Sequence, residues 1–258
     1  MLCQRRTWVV LALCLLLVLW QSFRAPTDGL GSSPWAPSFD TPAAHCTVST
    51  NSSAWFNARY NMAMGPLLTS AAHELSSDVV QWWLTLQGPQ RGGQLQAIIQ
   101  QLFTVLRTPT SDVWDSSRCR TCAVVGNSGR LKGSSHGLRI DAHDWVLSTY
   151  VRVKQFIKAD RNKVLILSPA FLKYIHDNWM QRQGRYPSTG FTALLFALHI
   201  CQQVSVFGFG ADSEGNWHHY WEKNRWSGAF RRTRVHDADM EFSIIERLAA
   251  EGRILFYK

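Results

Sequence analysis

A short apolar run that passes directly into a glycine-rich turn is the sequence feature that most restricts the fold of this chain. Residues 123–125 (Ala-Val-Val) predict a strand, and Gly-Asn-Ser-Gly at 126–129 predicts the turn. In α/β proteins, such a turn at the carboxyl end of a strand presents backbone N–H groups to an anionic nucleotide. The same residue types also form ordinary surface turns, so the turn alone does not establish a ligand site.

Helical and strand patterns alternate along the rest of the chain, which predicts an α/β layer fold. Apolar residues recur at helical spacing in five segments: 73–86, 94–106, 168–183, 188–201 and 239–250. Further strands are predicted at 145–147, 163–167, 204–207 and 254–257. The strand at 145–147 passes almost directly into the basic segment 151–154 and the next strand, without the helical crossover that parallel neighbours need.

The N-terminus predicts a membrane anchor. Residues 7–20 are uncharged and apolar, and Arg5 and Arg6 precede them. Extended to residue 23, this run is just long enough to span a bilayer, and the arginines place the N-terminus in the cytosol. We expect a cytosolic tail at 1–6, a signal-anchor helix at 7–23, a Pro-, Gly- and Ser-rich stem at 24–53 and a lumenal domain at 54–258. A cleaved signal peptide is the alternative.

A lumenal domain gives its cysteines an oxidising environment. Cys46, Cys119, Cys122 and Cys201 are then disulfide candidates, and four thiols allow three pairings. Cys119 and Cys122 also form a Cys-x-x-Cys pair typical of redox and zinc sites. No second such pair or matching histidine pair accompanies it in the sequence, so structural bridges are favoured. Asn51 begins an Asn-Ser-Ser sequon, which predicts glycosylation.

Charge and aromatic content suggest the class of ligand. The formal net charge of +9 favours an acidic partner, which leaves nucleic acid, an anionic membrane and a phosphate-bearing small ligand open. The positive residues are scattered rather than clustered with aromatics, so nucleic acid is disfavoured. Among the twelve tryptophans, five are candidates to line a carbohydrate site or to pack in the core: Trp82, Trp83, Trp217, Trp221 and Trp226.

His236 is the candidate general base. It precedes a predicted helix, and Asp237 and Asp239 lie in or near the first turn. The positive end of a helix keeps an imidazole neutral, whereas acidic neighbours favour its protonated form. A neutral, accessible histidine accepts a proton near pH 7. A capping or surface histidine would have the same sequence context, and His218 and His219 have the same ambiguity. No further ligands at zinc spacing accompany them.

Tyr186 and residues 188–190 (Ser-Thr-Gly) precede another predicted helix. Free backbone N–H groups and the helix dipole make a helix N-terminus suited to a phosphate. A simple capped helix start would use the same residues.

Four segments of the chain, in order, resemble the sialylmotifs of animal sialyltransferases. Residues 122–147 resemble the first part of the large motif and 168–210 the small motif. Residues 218–222 resemble the third motif and 236–246 the very small motif. The resemblance extends from about residue 54 to the C-terminus. The sequences Gly-Arg-Tyr-Pro-Ser-Thr-Gly and Gly-Asn-Trp-His-His-Tyr-Trp-Glu most resemble β-galactoside α-2,3-sialyltransferases that act on core-1 O-glycans.

The resemblance implies a reaction and a location. We expect a single-sheet, Rossmann-like nucleotide-binding glycosyltransferase fold, a variant of the GT-A fold. The implied reaction is the inverting transfer of sialic acid from CMP-N-acetylneuraminate to the 3-hydroxyl of a terminal galactose on a glycoprotein or glycolipid. It needs no metal and no cofactor besides the donor. The implied location is the Golgi membrane, as a single-pass type II protein, and homodimerisation is left open.

The resemblance also implies roles for individual residues. His236 would deprotonate the acceptor hydroxyl, His219 and Tyr186 would stabilise the CMP phosphate, and Gln87 would contact the acceptor galactose. The other donor-binding residues implied are Asn127, Tyr150, Ser188, Thr189, Gly190 and Gly210. Cys122–Cys201 is the implied bridge between the two large motifs, and Cys46–Cys119 is a second expected bridge.

The chain departs from the family pattern after Leu147. Family members continue there into an Arg-x-Asn-x-Ala-Pro segment and further strands and helices, whereas this chain has Ser-Thr-Tyr at 148–150 and Val-Arg-Val-Lys at 151–154. About sixty residues are absent relative to the family, several times a median loop. The alternative hypothesis is therefore a catalytically inactive, shortened form that at most binds nucleotide or glycan, or that associates with the full-length enzyme.

Overall fold

Four parallel strands form the centre of the computed structural model, which describes residues 53–69, 73–87, 95–105, 119–148, 165–211 and 235–258. The strands are β1 (Thr121–Val125), β2 (Trp145–Ser148), β3 (Gln203–Phe207) and β4 (Leu255–Tyr257), in the order β2-β1-β3-β4. All neighbouring pairs are parallel. The predicted α/β class is confirmed, and the strands predicted at 123–125, 145–147, 204–207 and 254–257 are found within one or two residues.

The strand order places a switch point between β1 and β3. From β1 the chain crosses to β2 on one side, and it later returns to β3 on the other side. Connections that diverge in this way leave a crevice outside the carboxyl ends of the two strands. The glycine-rich turns at 126–129 and 208–210 follow β1 and β3 and therefore both lie at this end of the sheet.

Seven helices accompany the sheet in the described part of the chain. They are α1 (Ala54–Asn57), α2 (Ser77–Gln87), α3 (Leu95–Val105), α4 (Gly137–Asp141), α5 (Pro169–Tyr174), α6 (Thr189–Ile200) and α7 (Ala238–Ala250). A 3₁₀ turn spans Gly129–Leu131. Ser168 caps α5, Ser188 caps α6 and Asp237 caps α7, each by accepting a backbone N–H two or three residues later. These caps explain why the helix starts predicted at 168, 188 and 239 lie within one residue of the observed starts.

The helix predicted at 168–183 is shorter and less regular than expected. It is α-helical to Tyr174 and then widens into a π turn over Ile175–Trp179. Gln181 and Arg182 have positive φ angles of 49° and 64°. Residues in this left-handed conformation cannot continue a right-handed helix, so the helix ends before them. The π turn places the indole N–H of Trp179 3.0 Å from the Tyr174 hydroxyl, to which it donates.

The strand predicted at 163–167 is wrong for the residues that the structure describes, 165–167. These residues do not join the sheet, and Leu167 forms an isolated antiparallel bridge with Leu67. The backbone of 66–68 takes the hydrogen bonds that a sheet neighbour would provide: Leu68 N–H donates to the Ile166 carbonyl, and Ser168 N–H donates to the Pro66 carbonyl. An apolar run of this length does not specify its partner.

The main core lies between one face of the sheet and helices α6 and α7. Cys122, Val124, Val204 and Val206 point into it and meet buried leucines and isoleucines of the two helices, which are Leu194, Leu195, Ile200, Ile244, Ile245 and Leu248. Cys122 and Cys201 form a disulfide that ties β1 to the end of α6, which confirms this expected pairing. Cys119 is also disulfide-bonded. Its expected partner, Cys46, lies outside the described residues.

Several predictions for the N-terminal region likewise fall outside the described residues. They concern the tail at 1–6, the anchor at 7–23, nearly all of the stem and the glycosylation site Asn51. Within the ranges that are described, no helix has the length and apolar character needed to cross a membrane.

Candidate active site

The glycine-rich turns after β1 and β3 are packed directly against each other. Gly126 N–H donates to the Phe207 carbonyl at 2.8 Å, and Ser128 N–H donates to the Gly208 carbonyl at 3.0 Å. A Cβ atom on Gly126 would lie 2.3 Å from the Gly208 carbonyl oxygen. Only glycine allows this approach. Asn127, the predicted nucleotide-binding residue, lies half-buried between the two residues that make these bonds.

Ser128 extends this contact to Gly210. Its buried hydroxyl donates to the Gly210 carbonyl at 2.7 Å. Gly210 has a φ of +102°, and a Cβ atom there would lie 2.8 Å from the ring of Phe242 on α7. Gly210 was predicted to let the backbone approach a nucleotide. In the structure, the space left by its missing side chain is filled by Phe242, so Gly210 joins the turn to α7.

Tyr186 and His236 are brought together by a turn-to-turn contact. The N–H groups of Arg185 and Tyr186 both donate to the Val235 carbonyl, at 2.8 and 3.3 Å. The Tyr186 and His236 rings meet edge to face, with centroids 4.8 Å apart. Gly184 has a φ of +70°, and a Cβ atom there would lie 3.1 Å from the Asp237 nitrogen. A glycine before Tyr186 therefore allows the two segments to approach.

A backbone carbonyl orients the imidazole of His236. Its Nδ1 lies 2.8 Å from the Tyr186 carbonyl oxygen. A carbonyl oxygen only accepts hydrogen bonds, so Nδ1 of the neutral ring carries the proton. Nε2 is then the nitrogen that holds the lone pair. This arrangement gives His236 the tautomer and the half-buried position that a general base requires.

Glu241 is a site residue that the sequence analysis missed. Its two carboxylate oxygens accept bonds from Ser188, from the N–H at 2.7 Å and from the hydroxyl at 2.5 Å. Burial raises the pKa of this carboxyl to about 7, and the nearby Asp237 adds to the increase, whereas the two bonds from Ser188 act in the opposite direction. A signal was present in the sequence, because Glu241 has helical spacing to Ile244, Ile245 and Leu248 on the buried face of α7.

The start of α6 is held by protein contacts at Ser188. Besides its bonds to Glu241, the Ser188 hydroxyl accepts the Phe191 N–H at 3.1 Å. Ser188 was predicted to bind the donor, but its N–H and hydroxyl are both engaged within the protein. Thr189 and Gly190, the other two residues predicted here, form the first turn of α6, where backbone N–H groups point away from the helix.

A cavity of about 390 Å³ lies between α2 and the start of α6. It is lined on one side by Trp82, Trp83 and Leu86, and on the other by residues of the 186–192 segment and two leucines: Tyr186, Pro187, Thr189, Thr192, Leu167 and Leu172. Gln87, the predicted acceptor contact, is the last residue of α2 and directly follows a lining residue. Because Tyr186 contacts both the cavity and His236, the cavity lies beside the candidate base.

Two predicted site residues, Tyr150 and His219, lie outside the described residues, as do Trp217, Trp221 and Trp226. Among the residues that are described, no group of His, Cys, Asp or Glu side chains is arranged to hold a metal ion. Four of the other predicted residues, which are Asn127, Gly210, Tyr186 and His236, lie in two groups that each meet α7 or the residue before it. The Asn127 turn joins α7 through Gly210 and Phe242, and the Tyr186 turn contacts His236, just before α7.

Comparison with known proteins identifies the family. Residues 67–149 and 145–253 match the family described as glycosyltransferase family 29 (sialyltransferase), in two segments that meet at 145–149. The chain is 38% identical to human CMP-N-acetylneuraminate-beta-galactosamide-alpha-2,3-sialyltransferase 1, over 83% of this chain and 81% of the relative. The corresponding sialyltransferase 2 from rat is 36% identical, over 83% of this chain and 79% of the relative.

The alignment with the human relative extends over 276 positions, whereas 83% of 258 residues is about 214. About sixty aligned positions therefore have no residue in this chain.

Solved structures agree with the sequence matches. A crystal structure of a mammalian sialyltransferase superimposes with a TM-score of 0.69 at 35% identity, over 80% of this chain and 94% of the other. A mammalian sialyltransferase in complex with Gal-beta-1-3GalNAc-ortho-nitrophenol gives the same TM-score at 34% identity. The ordered motifs, the parallel sheet and these matches agree, and the chain belongs to glycosyltransferase family 29, the sialyltransferases.

Proposed function

We propose that this chain transfers sialic acid from CMP-N-acetylneuraminate to the 3-hydroxyl of a terminal β-galactose, with inversion and with His236 as the general base. The observation that carries the proposal is the hydrogen bond between His236 Nδ1 and the Tyr186 carbonyl. It leaves the lone pair of the neutral imidazole on Nε2, and Tyr186, whose ring contacts His236, also lines a cavity that contains two tryptophans. The names of the relatives, which are β-galactosamide α-2,3-sialyltransferases, support the same donor and linkage.

The chemistry assigned to His236 is a single proton transfer. As the galactose 3-oxygen attacks the anomeric carbon of sialic acid, its proton passes to Nε2, and the bond from that carbon to the CMP phosphate breaks. The bond from Nδ1–H to the Tyr186 carbonyl strengthens as the ring becomes positive, because a charged donor makes the stronger hydrogen bond. General-base catalysis of this kind contributes about 100- to 10,000-fold to a rate.

We assign the acceptor sugar to the cavity between α2 and α6. Trp82 and Trp83 supply indole surfaces, and galactose has an apolar face that packs on such rings. A relative solved with a Gal-beta-1-3GalNAc aryl glycoside supports a core-1 acceptor. Tyr186 lines the cavity and contacts the His236 ring, so the CMP phosphate that it is expected to stabilise would lie close to the acceptor.

We assign the donor to the crevice outside β1 and β3. Asn127 lies there, and the first turn of α6 offers the N–H groups of Thr189 and Gly190 to the leaving phosphate. His219 and Tyr150 complete the predicted donor site, and their roles remain predictions. The chemistry assigned to the described residues needs no metal. Placement in the Golgi membrane through an anchor at 7–23 also belongs to this proposal, supported by the apolar run after Arg5 and Arg6.

The test is a transfer assay on the solubilised full chain, with CMP-N-acetylneuraminate and Gal-β1,3-GalNAc as substrates. His236→Ala should lower kcat by about 100-fold or more while calorimetry shows unchanged CMP binding. His143→Ala is the matched control, because His143 Nδ1 also lies 2.9 Å from a backbone carbonyl, that of Arg139. Its activity should equal that of the wild type. Full activity of His236→Ala would remove His236 from the role of base.

A second candidate function is a shortened, inactive form that binds nucleotide or glycan without turnover. The observation that favours it is the interruption of the family match at 145–149, together with the sixty or so alignment positions that this chain lacks. CMP titration and the transfer assay on the wild-type chain together distinguish the two functions. Tight CMP binding without transfer would support the inactive form, and measurable transfer would reject it.

A further inference from the structure

One wall of the acceptor cavity is a single helix. Trp82, Trp83 and Leu86 all belong to α2, and the opposite wall is formed by Tyr186, Pro187 and the first residues of α6. The distance between the walls therefore depends on what holds α2 in place. Polar contacts do so at both of its ends.

At the N-terminal end of α2, Asp78 binds Lys173 of α5 at 3.3 Å. Lys173 in turn binds Asp177 of the π turn at 2.5 Å, and Arg182 binds Asp177 at 3.3 Å. The side chain of Asp78 is 65% exposed. An ion pair this exposed contributes little by itself.

At the C-terminal end, Arg185 Nη2 donates to the Thr85 carbonyl at 3.3 Å. Thr85 is among the last four residues of α2, whose carbonyls have no partner within the helix. The negative end of the helix dipole also favours a cation at this position. Thr85 lies directly before Leu86, a cavity residue, and two residues before Gln87.

Arg185 is also held through its backbone, by the segment that carries His236. Its N–H donates to the Val235 carbonyl at 2.8 Å, next to His236. The following residue, Tyr186, supplies the carbonyl that orients the His236 ring. Arg185 therefore joins two parts of the site. Its side chain binds the end of α2, and its main chain binds the turn that carries His236.

We infer that Arg185 is a positioning residue that holds the cavity wall formed by α2 at a fixed distance from His236 and thereby sets the affinity for the galactose-terminated acceptor. The inference rests on the proposed function, because it names the determinant of acceptor binding at that site. Arg185 does not touch the reacting atoms. Its assigned side-chain contact is with α2, not with the residues assigned to the donor.

The test compares Arg185→Met, Arg185→Lys and Arg247→Met in the full chain. Arg185→Met keeps the apolar stem and loses the donors, so the acceptor KM should rise about 5-fold. The donor KM and the pH profile should stay unchanged, and kcat should stay within about twofold. Arg185→Lys should recover part of the acceptor affinity, because a lysine still offers a positive donor to the helix end.

Arg247→Met is the matched control, because Arg247 is also an arginine with a largely exposed side chain, 55% by area. Its guanidinium binds Glu251 at 2.8 Å, four residues later on the chain and outside the contacts that hold α2, so its acceptor KM should equal that of the wild type. An unchanged acceptor KM in Arg185→Met would overturn the inference. A parallel loss of donor affinity, kcat and thermal stability in that variant would also overturn it, because a general structural role would then explain the effect.

Calorimetric titration with Gal-β1,3-GalNAc separates this inference from the proposed function. If the wild type transfers no sialic acid but binds the disaccharide, and Arg185→Met weakens that binding about 5-fold, the proposed function fails and the inference stands. If the wild type does not bind the disaccharide, both fail.

Discussion

At the scale of single residues, a backbone carbonyl orients the candidate base, and the acidic residue next to it in sequence has another role. Asp237, the acidic neighbour of His236, caps α7 by accepting the Met240 N–H at 3.0 Å. The orientation of His236 instead depends on Tyr186, fifty residues earlier in the chain. The proton on Nδ1 therefore follows from the path of the backbone, which places the Tyr186 carbonyl beside the ring.

Glu241 is the residue whose titration should be visible in the stability of the protein. Its pKa is raised from 4.5 to about 7, chiefly by burial, so the folded state binds a proton more tightly than the unfolded state between these values. The bound proton therefore stabilises the folded state. This stabilisation is fully present below about pH 4.5 and is lost as the pH rises through about 7. We expect the unfolding free energy of the wild type to fall with rising pH across this range, by an amount on the order of 3 kcal/mol at most. The unfolding free energy of Glu241→Gln should not show this fall.

Urea unfolding at several values between pH 5 and 8 measures this difference. A glutamine amide keeps both bonds to Ser188, since its oxygen accepts the N–H and its NH₂ donates to the hydroxyl. Glu246→Gln is the control on the same helix, because Glu246 is exposed and binds Lys258 at 2.7 Å. Parallel pH curves for the wild type and Glu241→Gln would contradict the assignment.

At the scale of elements, the crevice depends on how closely the loops after β1 and β3 approach. A Cβ atom on Gly126 would lie 2.3 Å from the Gly208 carbonyl oxygen, and both atoms belong to main chain that cannot move aside independently. The two loops form one surface because of this contact, and the half-buried Asn127 lies between the two residues that make its hydrogen bonds.

Gly126→Ala should therefore weaken both stability and nucleotide binding. Forcing the two turns apart should cost about 1–3 kcal/mol, measured as a lower urea midpoint, and CMP titration should show reduced affinity. Gly137→Ala is the control, because no atom lies within 4 Å of a Cβ atom at that position and its φ is not positive. If Gly126→Ala were as stable as Gly137→Ala, the tight contact between the turns would be refuted.

At the scale of the whole molecule, the Cys122–Cys201 disulfide connects two regions that are 79 residues apart in sequence. Cys122 is fully buried in β1, and Cys201 follows α6, which packs on the same face of the sheet. A bridge that closes a long loop restricts the unfolded chain strongly. The bridge therefore stabilises the packing of α6 on β1, and with it the position of the α6 start at the site.

Replacing both cysteines with alanine should lower the unfolding free energy by about 2–4 kcal/mol, measured by urea unfolding in the absence of reductant. The single variant Cys122→Ala should lose nearly as much as the double variant, because the cross-link is already absent. A single variant as stable as the wild type would show that the cross-link contributes nothing. Additive losses from the two singles would assign the effect to packing instead.

Much of the fold was predictable because its signals are short-range. The strand at 123–125, the cap residues Ser168 and Ser188, and the helix stop after Ala250 all depend on interactions within a few residues. The strand predicted at 163–167 failed because its apolar side chains are equally suited to a sheet and to the bridge that Leu167 makes with Leu67. Nothing local distinguishes these two partners.

The sequence by itself determined the family and the class of fold, and it predicted the residues that carry the chemistry, because ordered motifs and local propensities are written in consecutive residues. Only the tertiary structure decided which atoms of those residues are engaged. The Tyr186 carbonyl on His236, Glu241 beneath Ser188 and Arg185 at the end of α2 join residues that are 50, 53 and 100 positions apart. Such contacts depend on how the sheet and helices pack, and no local pattern specifies them.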